Sequence, residues 1–318
     1  MSSNSLALEL LSRSQLQAYL AESLTPILPP QTMGGLEAMA MDSEAVGSTF
    51  KFMIRDAQGA PAAVVLCSPP IDPKLVALGA QRTRLAQAAV TENLKMAILA
   101  PIYEGAVLGL GLSYAVFPYH QPLAQGLLKW WLQRTLITSD LLKLAYQLTA
   151  QTRSPVSSGN RQARFVAPLQ HLAHLPSMPA SLQIAAKETL YRLQTHQWHP
   201  DFVLMHGDLW TGNILLNRSL PRGAFSPFVI IDWFGSQVQG YGIYDLIRLA
   251  QSIQLSPARL LRHLHLHCAA LECDLVDARS HLVTALAHFS VDLGHFPVEK
   301  FVIAAERCLK TFDQAVSS

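Results

Sequence analysis

Short apolar runs separated by polar turn residues dominate the first third of the chain and return near its centre. Apolar runs of four to eight residues bounded by turn-forming residues are typical of buried strands. In the first third they predict strands at residues 36–43, 49–55 and 62–67, joined by turns at 46–48 and 56–59. The sequence therefore predicts a small antiparallel sheet near the N-terminus.

Two helices are predicted to accompany this sheet. Residues 6–24 have apolar side chains at helical spacing, and Ser14 to Gln17 fit a capping box, which marks a helix start. A second helix is predicted at residues 73–90. Residues 97–117 are apolar over a length that approaches a membrane span, but Glu104-Gly105 divides them into two strand-length halves. We predict a hairpin that turns at Glu104-Gly105, without a membrane span.

Helical patterns dominate the rest of the chain. The predicted helices lie at residues 123–136, 139–152, 180–197, 243–255, 257–272, 276–293 and 298–315, with a polar loop at 154–164. The expected architecture is α+β, with an N-terminal lobe at 1–118 (leading helix, antiparallel sheet and one helix) and a helical C-terminal lobe at 119–318.

Three short predicted strands, at 202–205, 214–216 and 228–231, frame a set of polar side chains. Asp208 and Asn213 lie in the loop after the first strand, and Asp232 follows the third. Phosphoryl transfer requires a carboxylate that orients the acceptor hydroxyl and oxygen ligands that hold magnesium against the phosphates. Kinases supply these groups in a fixed order: an Asp, an Asn after four intervening residues, and then a second Asp at the end of a strand. Asp208, Asn213 and Asp232 follow this order.

The segments HGDLWTGNILL, at residues 206–216, and VIIDW, at 229–233, resemble the aminoglycoside phosphotransferase and choline kinase group, which includes the fructosamine kinases. The resemblance implies a two-lobed, protein-kinase-like fold, ATP with Mg²⁺, and a small-molecule hydroxyl or amine as acceptor. It implies that Asp208 is the catalytic base and that Asn213 and Asp232 are the magnesium ligands. It also implies that His206 braces the loop and that Asp245 anchors the loop's backbone.

Two further segments are candidates for nucleotide binding. The turn Gly47-Ser48-Thr49 lies where the resemblance places a phosphate-covering loop, although a single glycine more often marks an ordinary hairpin turn. Phe117 and Tyr119 lie where a hinge would meet the adenine, and an edge strand ending at Pro118 is the alternative. No P-loop or dinucleotide-binding fingerprint occurs in the sequence.

One position departs from the kinase pattern. The third strand of such folds ends on a lysine that contacts the phosphates and pairs with a glutamate on the next helix. Here the third strand ends on Cys67, and the predicted helix at 73–90 contains no glutamate. The cations that can substitute for the lysine, among which the sequence does not choose, are Lys51, Arg55, Lys74, Arg82 and Arg84.

These features leave two functional hypotheses. The first is an ATP- and Mg²⁺-dependent small-molecule kinase. The alternative, motivated by Cys67, is a nucleotide-binding pseudokinase with a regulatory or binding role. A protein kinase is disfavoured, because no Ala-Pro-Glu segment follows Asp232 and the segment 241–245 comes too soon to leave room for an activation loop.

Composition and charge limit the possible binding partners and indicate the cellular compartment. The 318 residues are 50% hydrophobic and 14% charged, which is typical of a compact globular protein. A net charge of +2 without a long basic run argues against nucleic acid. Four scattered cysteines and a polar start favour the cytoplasm. The group His263, His265, His267, Cys268 and Cys273 lacks the usual zinc-ligand spacing. The sequence predicts neither the acceptor nor the oligomeric state.

Overall fold

Five antiparallel strands form the N-terminal sheet of the computed structural model, which describes residues 12–28, 34–39, 49–123, 126–217, 227–294 and 296–318. The strands are β1 (Gly35–Ala38), β2 (Phe50–Arg55), β3 (Pro61–Cys67), β4 (Tyr103–Ala106) and β5 (Ser113–Pro118). Their order in the sheet is β1-β2-β3-β5-β4. The first strand ends at Ala38, and residues 40–43 of the predicted strand and the predicted turn at 46–48 lie outside the described residues.

Helix α1 (Arg13–Leu24) covers one face of this sheet. Its capping box is formed by Ser12 and Gln15, so the predicted box at Ser14 is wrong by two residues. The helix begins at Arg13, and its leucines at 16, 20 and 24 are buried against the sheet. These leucines pack in one core with side chains of β2, β3 and β5.

Helix α2 (Leu75–Ala88), followed by the short α3 (Glu92–Lys95), lies next to β5 and the turn Trp233–Gly235. The hydroxyl oxygens of Ser68 and Ser113 accept hydrogen bonds from the amides of Val76 (2.9 Å) and Ala77 (3.1 Å), respectively. The two hydroxyl oxygens are 2.7 Å apart and buried. The first turn of α2 is therefore capped from the sheet, since helix N-termini leave amides without intrahelical partners.

The hairpin predicted within 97–117 is present, but its turn is not at Glu104-Gly105. Both of those residues lie within β4 and pair with β5, and the turn occupies residues 107–112. Gly109 (φ 75°) and Gly111 (φ 67°) adopt the left-handed conformation there, which favours glycine. Gly105 instead leaves space for the ring of Tyr114, which a Cβ atom at residue 105 would meet at 2.8–3.0 Å.

Helices form most of the remaining chain. Their bounds are α4 (Leu127–Thr152), α5 (Ser158–Arg161), α6 (Ala167–His174), α7 (Ala180–Gln194), α8 (Tyr244–Ser252), α9 (Pro257–Leu271), α10 (Leu275–Val291) and α11 (Val298–Val316). Among the helices of the described ranges, none combines the length and apolarity that crossing a membrane requires. The predicted α+β organisation is confirmed.

Two predictions in this helical region are wrong. The predicted break between 136 and 139 is absent: α4 continues through Thr138, whose hydroxyl donates to the Arg134 carbonyl (2.6 Å). The predicted loop at 154–164 is mostly helical, with α5 continuing through a π-helical turn, Gln162–Val166, into α6. Phe165 in that turn is fully buried against aromatic rings, which fixes the backbone of a polar segment.

Six short strands complete the fold in two small sheets. They are β6 (Gln121–Pro122), β7 (Ser154–Pro155), β8 (Asp201–Met205), β9 (Ile214–Leu216), β10 (Phe228–Ile230) and β11 (Gln237–Tyr241). The strands pair in the orders β10-β9-β6 and β11-β8-β7. The strands predicted at 202–205, 214–216 and 228–231 thus agree with β8, β9 and β10 to within one residue. Their apolar side chains lie in the larger core, formed with the helices.

Candidate active site

The loop between β8 and β9 is held by a half-buried carboxylate. Asp245, in the first turn of α8, accepts hydrogen bonds from the backbone amides of His206 (2.6 Å) and Gly207 (3.0 Å). Gly207 is left-handed (φ 86°), and a Cβ atom there would lie 3.0 Å from the carbonyl oxygen of Gly235. The conformation of the loop that carries Asp208 therefore depends on glycine at this position.

Asp208 and Asn213 lie side by side in this loop. The Asn213 amide group donates to the backbone carbonyl of Asp208 (2.9 Å) and to its carboxylate Oδ2 (3.3 Å). The other oxygen, Oδ1, accepts from Arg248 at 2.8 Å. Arg248 was not identified from the sequence. The sequence feature that could have identified it is its position three residues after Asp245, since residues three apart on a helix share a face.

The segment after β10 meets the loop through backbone and side-chain contacts. The amide of Ile231 donates to the carbonyl of Asn213 (2.9 Å), and the His206 ring lies 2.9 Å from the Ile231 carbonyl through Nε2. His206 Nδ1 accepts from the Asp208 amide at 3.2 Å, which assigns the ring proton to Nε2. His206 is buried, with its ring edge-on to Trp233 at 4.6 Å between centroids. These contacts hold the backbone just before Asp232 against the loop that carries Asn213.

Asp232 has an uncommon backbone conformation, with φ 64° and ψ 53° in the left-handed region. Non-glycine residues in this region cluster at functional sites, where surrounding structure compensates for the strain. Part of the residue is open to solvent. The surrounding protein nevertheless raises the pKa of its carboxyl by displacing water; His206 and Lys51 act in the opposite direction, and Asp208 raises it further.

Asp245 has a different environment from Asp232. It is half-buried, and desolvation raises the pKa of its carboxyl above the ordinary value. His206 and the two backbone amides that donate to Asp245 act against this increase. A carboxylate that keeps two amide donors is suited to holding backbone in place.

The donor atoms next to Asp208 fit a hard divalent cation. Magnesium prefers oxygen ligands, takes few of them from the protein, and completes its shell with water and phosphate oxygens. Asp232 provides a carboxylate to which no described residue donates a hydrogen bond, and Asn213 provides an amide oxygen. These two side chains therefore fit the metal set predicted from the sequence.

The predicted nucleotide-binding residues are only partly described. Gly47 and Ser48 lie outside the described residues, and Thr49 directly precedes β2. Phe117 lies in β5 opposite Val64, and the Tyr119 amide donates to the Ala62 carbonyl at 3.0 Å. Because this bond occupies the Tyr119 amide, a contact from Tyr119 to a ligand must use its carbonyl or its side chain.

The Cys67 side chain faces α1. It is fully buried in the core between the sheet and α1, and burial raises the pKa of the thiol to about 12. Side chains alternate between the two faces of a strand, so Leu66 and Val64 point to the opposite face. The sequence pattern alone did not show which face Cys67 occupies.

Helix α2 contacts the segment after Asp232 without a glutamate. Arg82 donates to the backbone carbonyl of Phe234. The ring of Phe234 lies against Gly79, where a Cβ atom would be 1.9 Å from the ring. The sequence reasoning missed this contact, which joins residues about 150 positions apart.

Comparison with known proteins supports the fold. No family model and no curated protein matches the sequence. The GDP complex of wild-type aminoglycoside 2'-phosphotransferase-IIIa has a TM-score of 0.54 and 15% identity, covering 95% of this chain and 99% of its own. Choline kinase LicA from Streptococcus pneumoniae has a TM-score of 0.52 and 12% identity, covering 95% and 99%.

A choline/ethanolamine kinase family protein from Mesorhizobium loti gives a similar result, with a TM-score of 0.51, 13% identity, and coverage of 95% of this chain and 98% of its own. The likeness extends over nearly the whole of each chain, so it is not limited to the loop around Asp208. The resemblance predicted from the residues at 206–216 and 229–233 is matched by these structures. The chain therefore has the two-lobed, protein-kinase-like fold of the aminoglycoside phosphotransferase and choline kinase structures.

Proposed function

We propose that this protein is an ATP- and Mg²⁺-dependent phosphotransferase that transfers the γ-phosphoryl group to a hydroxyl or amine of a small molecule. The observation that carries the proposal is the hydrogen-bonded cluster of Asp208, Asn213 and the backbone before Asp232. The fold supports it, since the phosphotransferase-IIIa structure with this fold is a GDP complex.

In the proposed reaction Asp208 orients the acceptor and takes its proton. The acceptor oxygen or nitrogen forms a bond to the γ-phosphorus as the bond to the β-phosphate oxygen breaks, and the proton passes to the Asp208 carboxylate late in the step. Asn213 and Arg248 hold that carboxylate in one orientation. A fixed base favours the reactive geometry, because little orientational freedom remains to be lost.

Asn213 and Asp232 are the residues that would hold Mg²⁺. When bound, the ion supplies positive charge that offsets the charge of the nucleotide phosphates. Asp245 and His206 have structural roles in this proposal and do not contact the substrates. Asp245 fixes the loop backbone, and His206 joins the loop to the segment after β10. Both would keep the base and the metal ligands at a constant separation.

Turnover by an Asp208→Asn variant tests the proposal. ATP consumption by the wild type is first measured across a panel of hydroxylated and amine-bearing small molecules, with Mg²⁺ and with EDTA. With an acceptor that the wild type uses, Asp208→Asn is expected to lower kcat by roughly 10²–10⁴-fold, because a positioned general base contributes about this much. Nucleotide affinity is expected to stay within about twofold, since Asp208 is not among the proposed metal ligands.

Asp140→Asn, at an exposed position on α4, is the matched control and is expected to keep wild-type turnover. Wild-type turnover by Asp208→Asn would contradict the assignment of the base. Nucleotide binding without turnover of any acceptor would instead favour the pseudokinase hypothesis. That hypothesis was motivated by Cys67, whose side chain faces the α1 core.

A further inference from the structure

The two faces of the N-terminal sheet carry different chemistry. On β2, Phe52 and Ile54 are buried in the core with α1. Side chains alternate along a strand, so Lys51 and Met53 lie on the other face. Burial agrees with this arrangement, because Lys51 is exposed and Met53 is half-buried. Lys51 is therefore on the face of the sheet that α1 does not cover.

Lys51 lies directly across from Leu66 of β3. Directly opposed residues of antiparallel strands have Cα atoms about 4.5–5.5 Å apart and side chains on the same face. Leu66, and not Cys67, is therefore the last residue of β3 on the face opposite α1. A lysine at 51 can bring its ammonium group to the space that a lysine at 66 would reach.

The Lys51 side chain is exposed on this face of the sheet. Within the described part of the chain, Lys51 forms no ion pair. Its ammonium group is thus open to solvent and is not neutralised by a described carboxylate in contact with it.

The other four cations have different surroundings. Arg55 lies at the far end of β2, about 13 Å from Lys51 along the strand, where it pairs with Glu37. Arg84 pairs with Glu104, and Arg82 donates to the Phe234 carbonyl. Lys74 is exposed and directly precedes α2, so it does not lie on a strand of the sheet.

We propose that Lys51, on β2, provides the ammonium group that binds the phosphates of the nucleotide, in place of a lysine on β3. This inference rests on the proposed phosphotransferase function and assigns to it a phosphate-binding residue. Ammonium is a flexible point charge suited to this role, because it reaches phosphate oxygens without requiring a fixed planar geometry. Compared with the kinase pattern, the cation lies on the neighbouring strand but on the same face of the sheet.

Equilibrium binding of MgADP, measured by calorimetry, tests the proposal. Lys51→Met, which keeps most of the apolar stem, is expected to raise the Kd for MgADP by about 10–100-fold, the loss typical of one charge-assisted contact. Adenosine, which has no phosphates, is expected to bind both proteins equally. Lys74→Met is the matched control, and its Kd is expected to stay within about twofold of the wild type.

Moving the charge back to β3 is the sharper test. In the Lys51→Met background, Leu66→Lys is expected to regain at least about fivefold of the lost affinity, because residues 51 and 66 are directly opposed. Cys67→Lys is expected to give no recovery and to lower the unfolding temperature, because it places a charge in the core beneath α1.

The possible failures are distinguishable. If the wild type binds no nucleotide, both the proposed function and this inference are overturned. If the wild type binds MgADP and folded Lys51→Met binds it equally well, this inference alone is overturned. It is also overturned if the Leu66→Lys variant in the Lys51→Met background folds and fails to regain affinity.

Discussion

Asp208 has both oxygens of its carboxylate engaged by neighbouring side chains. Oδ1 accepts from Arg248 at 2.8 Å, and Oδ2 lies 3.3 Å from the Asn213 amide. Hydrogen bonds from a charged donor are stronger than neutral ones, so Arg248 contributes most of this restraint. Arg248 comes from α8 and not from the loop itself. It is therefore a positioning residue, which acts on the proposed base and not on a bound nucleotide.

Replacing Arg248 is expected to lower turnover without weakening nucleotide binding. Arg248→Gln should reduce kcat by about tenfold, which corresponds to about 1.4 kcal/mol in the barrier, because the base loses one charge-assisted contact. The KM for ATP should stay within about twofold. Steady-state kinetics with an acceptor that the wild type uses separates the two parameters.

Two further variants serve as a conservative replacement and a control for Arg248→Gln. Arg248→Lys keeps the charge and should recover part of the lost kcat, whereas Arg262→Gln, at an exposed site on α9, should behave as the wild type. A parallel loss of kcat and nucleotide affinity, with a lower unfolding temperature, would indicate a structural role and contradict the positioning role.

Those residues of the candidate site that lie in short sequence patterns could be predicted from the sequence. Asp208, Asn213 and Asp232 follow short strands, and hairpin pairing of β9 with β10 brings their backbones together. Arg248 and the orientation of Cys67 depend on which face of an element meets the loop or α1. Such a face is settled by packing between distant segments, and no short sequence pattern encodes it.

At the scale of elements, α2 is held against the segment after Asp232 by contacts that involve no ion pair. In kinases a lysine of the third strand and a glutamate of the following helix join that helix to the sheet. Here Gly79 lets α2 approach the Phe234 ring, and Arg82 donates to the Phe234 carbonyl. The position of α2 is thus tied directly to the segment that carries Asp232, without a glutamate on α2.

Alanine at position 79 tests this junction. Alanine favours a helix over glycine by about 1 kcal/mol, but its Cβ atom would lie 1.9–2.7 Å from three atoms of the Phe234 ring. The overlap is expected to prevail, because overpacking costs about 1–3 kcal/mol and the whole ring must move. Gly79→Ala should therefore lower both the unfolding free energy and kcat.

A double-mutant cycle separates the ring contact from helix propensity. Phe234→Leu is expected to relieve the overlap, so that the double variant loses less stability than the sum of the single variants. The free energies of unfolding come from urea titrations. Additive losses would show that Gly79 is not required for the approach of the Phe234 ring.

Local patterns predicted the strands at 202–205, 214–216 and 228–231, but they failed where an isolated signal was outweighed by its surroundings. Gly105 is a turn residue by type, yet it lies in β4 because Tyr114 covers it. Thr138 satisfies its own hydroxyl within α4, and the helix continues through it. Phe165 supplies the burial that makes a polar stretch helical.

At the scale of the whole molecule, the larger core encloses titratable groups that must stay uncharged. His267 and His281 are both almost completely buried. Burial lowers the pKa of His267 to about 3, with a smaller effect from the His263 charge. Burial lowers the pKa of His281 to about 4. Asp245 acts in the opposite sense, because its raised pKa favours the folded state at low pH.

The buried histidines predict a loss of stability in acid. Between pH 6.5 and about 4, an unfolded chain binds a proton at position 281 that the folded chain does not, so its contribution to stability falls as pH falls. Urea titrations of His281→Leu across this range should show a pH slope lower than that of the wild type by about 1.4 kcal/mol per pH unit. Ser280→Ala, at the adjacent buried position, removes no proton-binding group and should keep the wild-type slope. Equal slopes for His281→Leu and the wild type would show that His281 gains its proton without unfolding.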